Sequence, residues 1–79
     1  MSTPSLAEIL EAVLLAADHP LTLEQLQAVF DEAERPTTSE IRDALIEVQV
    51  NYITRSMELK EVASGWRMQV RDVFAPWVK

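Results

Sequence analysis

Between Ser39 and Arg55 the chain reads SEIRDALIEVQVNYITR, and the spacing predicts a helix. Ile41, Ala44, Leu45, Val48 and Tyr52 recur at steps of three and four, so they share one face of a 3.6-residue period and read as core. Ile46, Val50 and Ile53 repeat at i, i+4, i+7 on a different side, with Arg42 and Gln49 between the two stripes. A surface helix with one neighbour needs one apolar stripe, and this one carries two. Upstream, Ser5-Leu6-Ala7-Glu8 has the form of a capping box. It opens a helix running to about Asp18 with Leu6, Ile9, Leu10, Val13, Leu14 and Ala17 on its apolar face. Leu15 falls on the polar side of that helix, one turn beyond Glu11. Pro20 disfavours helical geometry at His19 and ends the element. Leu21 reads as a single extended residue.

A second capping box, Thr22-Leu23-Glu24-Gln25, starts a short helix predicted to reach about Ala33, with Leu23, Leu26, Val29, Phe30 and Ala33 facing inward. Thr37, with Glu40 three residues on, opens the long helix. After Arg55 the period changes to two. Met57–Val62 and Trp66–Arg71 read as strands, the second alternating Trp66, Met68, Val70 against Arg67, Gln69, Arg71. Ala63-Ser64-Gly65 lies between them, and Gly65, the only glycine, falls where a three-residue hairpin wants a positive φ. The last residues, Asp72 to Lys79, read as a turn with two aromatics, Phe74 and Trp77, which either close the core or lead into something further.

Three helices followed by a hairpin give an α+β fold, a winged helix. The second and third helices form its helix-turn-helix, the hairpin is the wing, and Leu21 adds a minimal third strand. Residues 1–79 form one such domain, with no internal linker or repeat.

Composition changes the picture in two ways. A chain of 79 residues buries only roughly 60% of its unfolded surface, so the core is thin and every apolar residue counts. The formal net charge is −6, whereas DNA binding draws much of its affinity from Lys and Arg neutralising phosphates. There is no cysteine, hence no disulfide or thiolate metal site, in keeping with a reducing cytoplasm. No secretory signal and no membrane-spanning segment is expected.

No catalytic constellation emerges. The single histidine, His19, sits in a helix-ending turn without the ligand partners a metal needs, and one glycine cannot build a phosphate loop. The acidic pairs Glu8/Glu11 and Glu58/Glu61 read as solvated faces. Neither enzymatic activity nor a cofactor is expected. Two binding readings remain. As a DNA-binding regulator the chain would use Arg42, Gln49, Lys60, Arg67 and Arg71, but Asp43, Glu47 and three aliphatic residues share that face. As a protein-interaction module it would use Leu15, Ile46, Val50 and Ile53, since contiguous exposed apolar surface marks partner sites. The alternative, less favoured, is that Ile46 and Ile53 pack beneath the wing or the C-terminal aromatics.

The segments EILEAVLLAADHPLTLEQL (Glu8–Leu26), EIRDALIEVQVNY (Glu40–Tyr52) and MELKEVASGWRMQVRDVFAPWV (Met57–Val78) resemble the bacterial segregation and condensation protein B family. The strand pair L-x-E-V-A-x-G-W-R-x-Q followed by A-P-W-V is the most specific part. The resemblance implies a non-enzymatic accessory subunit of the SMC–kleisin condensin complex, acting in chromosome condensation and segregation. It implies two winged-helix domains in tandem, homodimerisation through the N-terminal one, and contact with the kleisin subunit and the SMC ATPase through the second. The chain would then be the N-terminal domain alone, cytoplasmic and nucleoid-associated through the complex, without direct sequence-specific nucleic-acid contact. It departs from the family pattern at Ile46, Val50 and Ile53, where charged residues are common.

Overall fold

The computed structural model describes residues 3–78. Each helix begins where a side chain satisfies the free N–H groups of the first turn. In α1 (Leu6–Ala16), Ser5 Oγ accepts from the Glu8 N–H at 3.1 Å while the Glu8 carboxylate accepts from the Ser5 N–H at 2.8 Å. The Ser5 N–H holds the Glu8 carboxyl below its ordinary pKa. Thr22 and Gln25 make the same exchange at α2 (Leu23–Gln27), as do Thr37 and Glu40 at α3 (Thr38–Asn51). All three boxes stand where the sequence places them.

The helix ends differ. α1 stops at Ala16, two residues before the predicted Asp18, with Ala17 already extended. α2 is much shorter than predicted. Its last i−4 bond runs from the Ala28 N–H to the Glu24 carbonyl, after which Val29 and Phe30 bond only three residues back. A 3₁₀ turn at Glu32–Glu34 follows. Continuing α2 to Ala33 would put Asp31 and Glu32 at the negative end of the helix dipole. Instead the Gln27 amide donates to the Pro36 carbonyl at 3.0 Å and pulls the chain into the next turn. α3 likewise gives way at Tyr52, short of the predicted Arg55.

Strands β1 (Met57–Val62) and β2 (Gly65–Val70) pair antiparallel, Met57 opposite Val70 and Val62 opposite Gly65. The connection is therefore the two residues Ala63-Ser64 rather than three. Gly65 does have positive φ, +132°, but it belongs to the strand. Its requirement comes from the other edge. Leu21 forms the expected one-residue strand by exchanging two bonds with Trp66, Leu21 N–H to Trp66 O at 2.9 Å and Trp66 N–H to Leu21 O at 2.7 Å. A Cβ on Gly65 would overlap the Leu21 carbonyl.

Among the described residues every fully buried side chain is apolar. Ala7, Leu10 and Leu14 of α1, Leu26 of α2, Ile41, Ala44, Leu45 and Val48 of α3, and Leu59 of β1 make one cluster. Leu6, Val13, Leu21, Leu23, Phe30, Tyr52, Trp66 and Met68 close its rim. The predicted inner stripe of α3 is thus the centre of the core, with Tyr52 half-buried at its end. The Tyr52 hydroxyl donates to the Glu11 carboxylate at 2.5 Å, tying α3 to α1. That bond, reinforced by partial burial and the neighbouring negative charge, raises the phenol above the ordinary tyrosine pKa.

Gly65→Ala should therefore cost at least about 2 kcal/mol in urea unfolding, from backbone strain and collision with Leu21. A loss below about 0.5 kcal/mol would contradict this role. Tyr52→Phe should cost about 1 kcal/mol near neutral pH. Because the folded pKa is the higher one, this stabilisation is complete below the unfolded phenol's pKa of about 10 and is lost as pH rises through the folded value. The stability difference between wild type and Tyr52→Phe should shrink in that alkaline window and stay flat between about pH 6 and 9.

Candidate protein-interaction surface

The outer side of α3 is uncovered. Ile46 retains 55% of its accessible surface and Val50 59%, and Ile53, on the turn beyond the C-cap, retains 72%. Neither the wing nor the C-terminal aromatics covers them. Ile46 forms one wall of an open groove of about 330 Å³ with Arg42, Glu61 and Trp66. Leu15, 46% exposed, stands on the outer side of α1. α1 packs on the core side of α3, so Leu15 does not share a face with Ile46 and Val50. The fold thus gathers the α3 residues along one side and its following turn, and leaves Leu15 separate.

The polar residues between and beside them are largely committed to the fold. Gln49 donates its amide to the Leu59 carbonyl at 3.2 Å, holding β1 against α3. Arg71 closes the end of α3. Its Nη2 donates to the Tyr52 carbonyl at 2.8 Å and its Nε to the Arg55 carbonyl at 2.9 Å, while Nη1 lies 3.6 Å from the Glu58 carboxylate. A cation at a helix C-terminus satisfies carbonyls that have no partner in the helix and favours the dipole. Arg67 Nε donates to the Gln69 side chain at 2.9 Å. Of the five residues a DNA-binding reading would use, Gln49 and Arg71 are occupied internally, and exposed Arg42, Lys60 and Arg67 share the surface with Asp43, Glu47 and Glu61.

A second apolar surface escaped the sequence reading. Asp72–Trp77 forms a 3₁₀ turn carrying Pro76, and its side chains face outward. Val73 is 70% exposed and Trp77 76%, with Val78 also exposed and Phe74 at the margin. The aromatics therefore do not close the core. The signal was present in VFAPWV, six residues without a charge, but a run with no period does not say whether it faces in or out.

Among the described residues no group of three His, Asp or Glu side chains comes together as a metal site, and no helix is long and apolar enough to cross a membrane.

A short α2 leading into α3, a wing on α3's flank and a one-residue strand completing the sheet define a winged-helix protein. Its exposed surface is apolar and acidic rather than basic. The chain belongs to the ScpB family: the model for segregation and condensation complex subunit ScpB matches residues 8–79. It is 45% identical over 71 residues to a segregation and condensation protein B homolog of Coxiella burnetii, covering 90% of this chain and 34% of that protein. Among solved structures it resembles ScpB from Mycobacterium tuberculosis at 32% identity and a TM-score of 0.76, covering 91% of this chain and 44% of that one. It also resembles the crystal structure of a dimer of an ScpB N-terminal domain complexed with ScpA peptide, at 26% identity and a TM-score of 0.76, covering 90% of this chain and 80% of that one. The chain spans about a third of the length of the curated relatives it matches. In that complex an ScpA peptide accompanies the N-terminal domain.

Arg71→Met should destabilise the chain by about 1–3 kcal/mol, because the Arg55 carbonyl loses its donor and the Tyr52 carbonyl keeps only the Arg55 N–H. Glu58→Gln should cost less than about 1 kcal/mol, since that ion pair is long and partly exposed. Chemical denaturation of both variants checks the order, and equal losses would contradict it.

Proposed function

We propose that the chain is a non-enzymatic protein–protein module of a bacterial SMC–kleisin condensin, working in the cytoplasm on chromosome condensation and segregation. In this reading residues 1–79 make one winged-helix domain of a two-domain subunit. Two copies associate through Ile46, Val50 and Ile53, with Leu15 as an outlying contact. The kleisin and the SMC ATPase are the further partners of the assembled complex.

One observation carries the proposal: on a domain too small to waste apolar surface, Ile46 and Val50 remain more than half exposed on the outer face of α3. The net charge of −6 supports a protein rather than a nucleic-acid partner, because carboxylates beside phosphates oppose binding. The related N-terminal domain that forms a dimer with an ScpA peptide supports the same class of role.

Light scattering coupled to sizing chromatography at micromolar concentrations tests the proposal. The wild-type chain should self-associate. Ile46→Ser with Val50→Ser should weaken association at least about 10-fold while leaving unfolding stability within about 0.5 kcal/mol, as expected for exposed positions. A wild-type chain that stays monomeric throughout would contradict it. The chain should also show no salt-dependent retention on duplex DNA, and affinity falling steeply with salt would favour phosphate contacts instead.

A further inference from the structure

The C-terminal turn presents apolar side chains on a fixed frame. Arg71 anchors its base to the Tyr52 and Arg55 carbonyls, and the Phe74 N–H donates to the Arg71 carbonyl at 2.9 Å. The Val78 N–H donates to the Ala75 carbonyl at 3.2 Å, and Pro76 restricts the backbone between them. The same anchor sets the turn beside the segment after α3 that carries Ile53. Beside the turn is a notch of about 210 Å³ lined by Val70, Ala75 and Val78, with Arg71 and Asp72 at its rim. Trp77 projects outside that notch and is the most exposed large apolar side chain of the described residues.

We propose that this end of the molecule is a self-complementary seat for a second copy of the chain, Trp77 of each copy entering the notch between Val70, Ala75 and Val78 of the other. A two-fold contact requires that a surface carry both the projection and its receptor, and this surface carries both. Charge points to the same occupant. Two chains of −6 repel wherever acidic faces meet, whereas Val73–Val78 has no charged residue and the notch rim has one cation and one anion. An aromatic anchor in a preformed pocket is the usual centre of such an interface. The proposal rests on the dimerisation reading above and adds to it the place where the copies lock.

Sedimentation velocity on wild type, Trp77→Ser, Ala75→Asp and the Ile46→Ser/Val50→Ser chain tests it, together with the indole N–H resonances of wild type across the same concentrations. The expected result is at least about 10-fold weaker self-association for Trp77→Ser and for Ala75→Asp. In wild type, the indole resonance that is missing from Trp77→Ser should shift with concentration. If either variant fails to fold, that wild-type shift decides. Dimers that survive both C-terminal substitutions, with a Trp77 resonance indifferent to concentration, would overturn the seat alone. A wild-type chain that never associates would overturn the seat and the dimerisation reading together.

Discussion

Ile41, Ala44, Leu45 and Val48 are drawn into the domain by contact with α1, α2 and β1, and that single packing decision orients everything else on α3. Once those four are inside, the 100° step of the helix leaves Ile46 and Val50 pointing outward. No rotation buries both stripes, because turning α3 to cover Ile46 would expose Leu45 and Val48. Burying a large aliphatic side chain is worth about 1.5–3 kcal/mol, so the inner stripe, which meets three elements, prevails. The outer stripe is the residue of that competition. It is available to a second molecule because the first cannot reach it.

The contacts that bound α3 have no direct part in binding, yet they determine where the apolar surface lies. Gln49 fastens β1 to the helix, and Tyr52 reaches across to Glu11. Arg71 holds the end of α3 and the start of the C-terminal turn with one guanidinium. Gln49 and Arg71, which a DNA-binding surface would need free, are here spent on geometry. The wing is tied to the connection between α1 and α2 because Leu21 can pair with Trp66, and that pairing needs the absent side chain of Gly65. The fold is that of a nucleic-acid reader, while the placement of its polar groups suits a partner made of protein.

Much of this was legible in the sequence. Periodicity located the inner stripe of α3, capping boxes marked three helix starts, and alternation identified β2. Helix ends were less legible. α2 stops early because acids at its C-terminus oppose the dipole and because Gln27 finds the Pro36 carbonyl, a partner nine residues away that local pattern cannot supply. The hairpin loop is one residue shorter than the spacing predicts, because Gly65 pairs with Val62 in the strand. Its positive φ was foreseen, but the reason for it lies in Leu21, distant in sequence. The exposure of Val73 and Trp77 could not be read at all, since an apolar run without a period fits a lid as well as a display. The exposure of Ile46, Val50 and Ile53 was open between wing contact and solvent, and depended on how closely the wing approaches α3.

In the proposed dimer the outer face of α3 is wet in one copy and dry in two. The most direct measurement is the accessibility of individual methyl groups to a dissolved paramagnetic relaxation agent, followed by NMR from dilute to concentrated chain. Ile41, Leu45 and Val48 should be protected at every concentration, while Ile46 and Val50 should be strongly relaxed when dilute and become protected as concentration rises. Protection of Ile46 and Val50 at the lowest concentration, or their unchanged exposure at the highest, would contradict the claim.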